Sequence, residues 1–223
     1  MFVKICGTTS EEDALLAVAM GADAVGFIFA PSTRQVAPIV VADIVKRLPP
    51  EILTVGVFRD EAPARVVEVM HSTGLRAAQL QGHETPEQCR WVRERVPFTI
   101  RAFAAGDRAV RAAGDYGADV IMIDTPSPGS GQVFDWSLAA EVPDGQRILL
   151  AGGLTADNVS AAITAVQPWG VDVATGVERS PGRKDPSKLR AFIAAVRAVE
   201  ADGDRDDDDS GPVPFDWQEE ELA

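Results

Sequence analysis

Eight short β-rich runs alternate with eight amphipathic runs through most of the 223 residues. That alternation predicts the α/β class and a single (β/α)8 TIM barrel, whose eight pairs fit into about 200 residues. A second observation separates the barrel from an open doubly wound sheet. The first strand runs into Cys6-Gly7-Thr8-Thr9, which is no glycine-rich dinucleotide loop. A third is that the conspicuous loop glycines follow the seventh and eighth strands instead, at Gly152-Gly153 and Gly176.

The strand candidates are residues 2–6, 24–29, 53–58, 77–80, 99–103, 120–124, 147–151 and 171–175. Each is a short apolar run of the length strands prefer. The helix candidates are 10–20, 40–48, 62–72, 86–95, 107–113, 135–141, 156–166 and 186–199. Ser10 is a capping residue for the first, with Asp13 three positions on as an imperfect capping box. Thr85 precedes Pro86, which suits the first position of a helix. Gly21, Gly74 and Gly114 stand where C-caps are wanted. Gly21-Ala22-Asp23, Gly117-Ala118-Asp119 and Gly170-Val171-Asp172 enter strands alike, as traces of βα repetition or as a shared turn solution. The barrel is assigned to residues 1–199, and residues 200–223 to a disordered acidic C-terminal tail.

Charge supports that division. The net charge is −13, of which −10 falls on residues 200–223 and −3 on the rest. A nearly neutral body has no basic face for nucleic acid or an anionic membrane. No apolar run approaches transmembrane length, and the first six residues enter a strand without a signal-peptide layout. Two cysteines, Cys6 and Cys89, point to a reducing cytoplasm rather than a disulfide framework. With only His71 and His83, and no paired metal motif, neither a metal site nor a cofactor is expected. The oligomeric state is open between monomer and homodimer. The aromatic–acidic end, 215–222, fits a weak partner-binding segment or a plain solubilising extension.

Barrel enzymes place their chemistry at the C-terminal ends of strands and in the following loops. Strand alternation puts Phe2, Lys4 and Cys6 on one face and Val3 and Ile5 on the other, so Cys6 points into the barrel mouth. Lys4 then lies on the thiol's side, where its positive field favours a thiolate. Asp124 ends the sixth strand at the rim, where partial desolvation raises a carboxyl pKa and suits a proton donor. Gly152, Gly153, Thr175 and Gly176 offer bare N–H groups in the two loops that form the usual barrel phosphate site. Arg34 is a planar fork suited to a carboxylate. Arg183 and Lys184 read as a solvated loop, and Cys89 as a buried helix residue.

These residues form a recognisable series. Lys4-Ile5-Cys6-Gly7-Thr8-Thr9, Ser32-Thr33-Arg34, Ile123-Asp124, Ala151-Gly152-Gly153-Leu154, Gly176-Val177-Glu178 and Pro181-Gly182-Arg183-Lys184-Asp185 occur in order and at suitable spacing. From about residue 2 to residue 199 the chain resembles the phosphoribosylanthranilate isomerases of tryptophan biosynthesis. The resemblance implies an Amadori rearrangement of a phosphorylated small molecule, with Cys6 as general base and Asp124 as general acid. It also implies phosphate on the loops after strands seven and eight, and Arg34 beside the anthranilate. One departure stands out. The family's strand-four end commonly reads Gln-Leu-His-Gly-x-Glu, whereas this chain reads Gln79-Leu80-Gln81-Gly82-His83-Glu84. Either Gln81 or His83 is left to fill the displaced histidine's place. A related histidine-pathway isomerase would want an acid at position 6, and a silent phosphate-binding barrel would not need both Cys6 and Asp124.

Overall fold

The computed structural model describes residues 1–127 and 129–206. The eight strands are β1 (Phe2–Ile5), β2 (Ala24–Ile28), β3 (Leu53–Phe58), β4 (Ala77–Leu80), β5 (Phe98–Ala104), β6 (Val120–Asp124), β7 (Ile148–Leu150) and β8 (Gly170–Val173). They pair in chain order, all parallel, and β8 closes on β1 through Phe2 with Gly170 and Lys4 with Asp172. The helices are α1 (Glu11–Ala19), α2 (Pro38–Val45), α3 (Pro63–Thr73), α4 (Pro86–Arg93), α5 (Val159–Val166) and α6 (Pro186–Asp206). A short hairpin, β9 (Glu178–Ser180) with β10 (Arg183–Lys184), follows β8. No described helix is long and apolar enough to cross a membrane.

Alternation along the strands divides the core in two. Val3, Ile5, Val25, Phe27, Ile121, Ile123 and Val171 face the helices. Leu53, Val55, Ile100, Ala102, Val120, Met122 and Leu149 fill the barrel interior. The inward positions that carry polar groups, Lys4, Gln79, Asp124 and Asp172, lie towards the strands' C-terminal ends. An interior packed only part of the way up leaves a polar floor beneath the loops.

Several boundaries differ from expectation for local reasons. The runs expected as helices at 107–113 and 135–141 form 3-10 turns, Arg108–Tyr116 and Trp136–Glu141. Asp107 and Asp135 each accept from the N–H two residues on, which favours a tight turn over a full α-helical start. Gly114 is therefore interior, and Gly117, at φ +64°, is the left-handed cap. The fifth α-helix begins at Val159, because Asn158 folds back onto Thr155 N–H and Gly153 C=O. Asp13 closes no capping box. Ser10 accepts from its N–H, but its carboxylate turns to the Lys184 N–H. Thr85 makes a full box with Gln88. The boundary at 199/200 is corrected: α6 continues to Asp206, where a disordered tail was expected to have begun. Glu200 supplies the reason, since it pairs with the Met1 amino group and with Arg197. The rest of the predicted tail, 207–223, lies outside the described residues.

Candidate active site

Seven of the eight strand ends surround one cavity of about 290 Å3 at the C-terminal face. Cys6, Arg34, Gln81, Asp124 and Asp172 all line it. The alternation argument for Cys6 holds: Val3 and Ile5 pack under the helices, and Cys6 follows Lys4 into the mouth. Gly26 on the neighbouring strand makes room for both. A Cβ there would sit 3.0 Å from Cys6 Sγ and 3.2 Å from Lys4 Nζ.

Lys4 is fully buried and donates to Asp172 Oδ1 at 2.6 Å. Burial disfavours its charge, but Asp172 and Cys6 outweigh that, and its pKa is raised. The field expected to ionise Cys6 does not prevail over the groups around it. Burial pushes the thiol up, Lys4 and Lys184 pull it down, Asp172 pushes it up again, and the net shift is upward. Asp172 is what the expectation lacked. It is an acid at an inward position, detectable only by counting alternation along β8.

Asp124 follows expectation. Burial first, then the Asp172 charge, raises its pKa from 3.8 to about 6, against the lowering pull of two hydrogen bonds and Lys4. Thr125 N–H donates to Oδ1 at 2.7 Å and Gln81 Nε2 donates to Oδ2 at 2.8 Å. Of the two residues left to fill the displaced histidine's place, Gln81 is the one that touches Asp124. His83 is exposed and pairs with Asp60 at 3.0 Å.

Arg34 is buried, and its fork is already engaged. Nε and Nη2 donate to the two Glu178 oxygens at 2.8 and 2.7 Å, and Nη2 also reaches Thr175 Oγ1 at 3.2 Å. Glu178 hydrogen bonding raises the Arg34 pKa. Burial opposes the Glu178 charge, but Arg34 and Lys184 outweigh it and its pKa falls. Reading Lys184 as part of a solvated loop is corrected, whereas Arg183 is exposed as expected. Lys184 is 1% exposed, and its amine donates to the Cys6 carbonyl, to Ala174 O and to Glu178. Antiparallel pairing of β10 with β9 turns Lys184 inward, a long-range effect that loop composition does not reveal. Cys89 is a buried helix residue, its thiol raised to about 11 chiefly by burial.

Gly152, Gly153, Thr175 and Gly176 lie together but do not line the cavity. The segment after β6 packs on them. A Cβ at Gly152 would meet Thr125 N at 2.8 Å and Phe134 at 3.0 Å, and one at Gly153 would meet Gln132 at 2.5 Å. Gly152 and Gly153 also sit at φ +88° and +64°, where a side chain is strained. At Gly176 the obstruction is Leu154 O, 1.9 Å from the Cβ position. These glycines are required by loop-on-loop packing whether or not a ligand binds beside them.

A barrel with a thiol and a raised carboxyl at one mouth is matched by known proteins along its whole length. The family model for N-(5'-phosphoribosyl)anthranilate (PRA) isomerase matches residues 3–195. The N-(5'-phosphoribosyl)anthranilate isomerase of Desulforudis audaxviator is 49% identical over 202 residues, covering 87% of this chain and 97% of that one. The crystal structure of the Thermus thermophilus enzyme superposes with a TM-score of 0.84 at 39% identity, over 89% of this chain and all of that one. A phosphoribosyl anthranilate isomerase in complex with reduced 1-(o-carboxyphenylamino)-1-deoxyribulose 5-phosphate superposes with a TM-score of 0.78 at 38% identity, over 89% and 99% of the two chains. Fold, order of motifs and identity agree along the barrel, and the chain belongs to the N-(5'-phosphoribosyl)anthranilate isomerase family.

Proposed function

We propose that this chain isomerises N-(5-phosphoribosyl)anthranilate to the 1-deoxyribulose phosphate in tryptophan biosynthesis, using Cys6 and Asp124 as its proton-transfer pair. The observation that carries the residue roles is that the thiol and the raised carboxyl face one cavity from separate strands. A carboxyl with a pKa of about 6 holds its proton readily enough to donate it near neutrality. Asp124 gives that proton to the furanose ring oxygen. The C1'–O bond breaks as the anilino nitrogen's lone pair forms the C=N bond, leaving an iminium. The iminium brings positive charge next to Cys6, and with Lys4 it favours the thiolate against the burial that pushes the thiol's pKa up. The Cys6 thiolate takes the C2' proton, and the electron pair forms the C1'–C2' double bond and neutralises the nitrogen. The enolamine then gains a proton at C1' from the Cys6 thiol as its 2'-hydroxyl gives one to the Asp124 carboxylate, which forms the ketone and restores both groups.

Arg34 is held ready by Glu178 and presents its remaining N–H groups to the anthranilate carboxylate. The phosphate is assigned to the loops carrying Gly152, Gly153, Thr175 and Gly176, which requires the 129–134 segment to shift from its packing on them. The reaction needs no redox partner, and its setting is the cytoplasm. The test is conversion of freshly made phosphoribosylanthranilate by the whole chain, followed by anthranilate fluorescence. Cys6→Ala and Asp124→Asn are each expected to lower kcat by about two orders of magnitude or more with little change in KM. Retention of kcat in either variant removes that residue from its role.

A further inference from the structure

Beneath the acid lies a chain of amides that the reaction scheme does not use. Gln79, 1% exposed on β4, donates from Nε2 to Gln81 Oε1 at 2.6 Å and touches Met122 Sδ at 3.4 Å. Gln81 then donates from its own Nε2 to Asp124 Oδ2 at 2.8 Å. The direction matters, because a primary amide has a donor end and an acceptor end. Were Gln81 turned over, its oxygen would face the carboxylate and its NH2 would face the Gln79 NH2. The Gln79 Oε1 is buried without a hydrogen-bond partner in this arrangement. Both amides thus donate in the same direction, towards the Asp124 carboxyl that accepts at the end of the chain.

We propose that Gln81 is a positioning residue for the acid: oriented by Gln79, it keeps an N–H on the inner Asp124 oxygen, so the proton to be transferred stays on the substrate side. This rests on Asp124 being the general acid. Thr125 N–H holds Oδ1 and Gln81 holds Oδ2, so each oxygen has one lone pair engaged by the protein. Asp124 lines the cavity, so a proton carried on a remaining lone pair is within reach of a sugar bound there. A histidine at position 81 would do this with an N–H that titrates near neutrality; the amide does it without a charge change. The device is therefore one that holds its setting across the working pH range.

The experiment measures pH–rate profiles of the whole chain carrying Gln81→Met, Gln81→His and Gln79→Leu. Gln81→Met removes a donor that favours the ionised carboxyl. The limb belonging to Asp124, identified by its loss in Asp124→Asn, is expected to move up by about one pH unit. The optimum kcat is expected to fall about tenfold with KM within about twofold. Asp172 and Lys4 also face Asp124, and the other ionisable groups of the wall are Cys6, Arg34, Arg59, His83, Arg101 and Asp107. All stay in place in these variants. Gln81→His, which keeps an N–H donor, should recover most of the lost rate, and Gln79→Leu should show the same changes at smaller size. An unmoved limb, or a KM rise at constant kcat, overturns the proposal. In an Asp124→Ala background Gln81→Met should have no further effect, and an independent loss there also overturns it. If Asp124→Ala itself keeps kcat, the assignment of the acid fails first and the relay falls with it.

Discussion

At the residue scale, the Asp124 carboxyl proposed as the acid carries a cost in stability. Its pKa rises from 3.8 to about 6 on folding, so the folded state keeps a proton that the unfolded chain releases. Stability contributed at this site is greatest below the unfolded value and declines as pH rises towards the folded one. Relative to the Asp124→Asn protein, the parent is expected to lose roughly 3 kcal/mol between about pH 4 and pH 6, at 1.36 kcal/mol per pKa unit. Denaturant unfolding of both proteins across that window checks it, and a pH-independent difference would show that the shift is absent. Arg34 gives a second prediction. Arg34→Lys keeps a positive charge but cannot make both bonds to Glu178 and still present a fork to substrate. KM is expected to rise about tenfold or more, with loss of the anthranilate carboxylate's preference for the site. An unimpaired lysine variant would mean that only a diffuse positive field acts there.

At the element scale, the loops are held by each other as much as by the strands. Glu84 illustrates this: it accepts from Asp60 N–H in the loop after β3, from Gly82 N–H in its own loop, and from Arg101 on β5. That buried pair fixes the segment from which Gln81 reaches Asp124. The glycine loops after β7 and β8 are fixed in the same manner by the 129–134 segment and by Leu154. Gly176→Ala is therefore expected to destabilise the fold by about 1–3 kcal/mol, because Leu154 O occupies the added Cβ's place. Calorimetry on the unliganded chain measures this, and an unchanged midpoint would show that Leu154 yields freely. Thr85→Ala removes one half of a complete capping box and should cost about 1 kcal/mol without altering kcat.

At the scale of the whole molecule, the N-terminus is tied to the last helix. Glu200 pairs with the Met1 amino group and Arg197, while Arg197 also reaches Asp23. A chain ending at Asp206 is expected to keep kcat and KM, and one ending at Val199 to keep kcat but lose about 1 kcal/mol of stability, since partly exposed ion pairs contribute little. A fall in kcat on removing residues 207–223 would mean that they reach the active site. Much of this molecule is legible in its sequence. Alternation of strand and helix runs gave the barrel, period-two counting gave the direction of Cys6, and position at a strand end gave Asp124. These are local properties, because apolar periodicity and chain order act on neighbouring residues. The inward Lys184, the Asp172 charge beside Cys6 and the choice of Gln81 over His83 were not legible. Each depends on groups far apart in sequence, such as Lys4 with Asp172 or Gln81 with Asp124, that only barrel closure and strand register bring within hydrogen-bonding range. The sequence by itself determined which chemical groups stand at the strand ends; tertiary structure alone decided which of them share a proton's surroundings, because pKa and hydrogen-bond polarity are set by burial and by partners across the barrel.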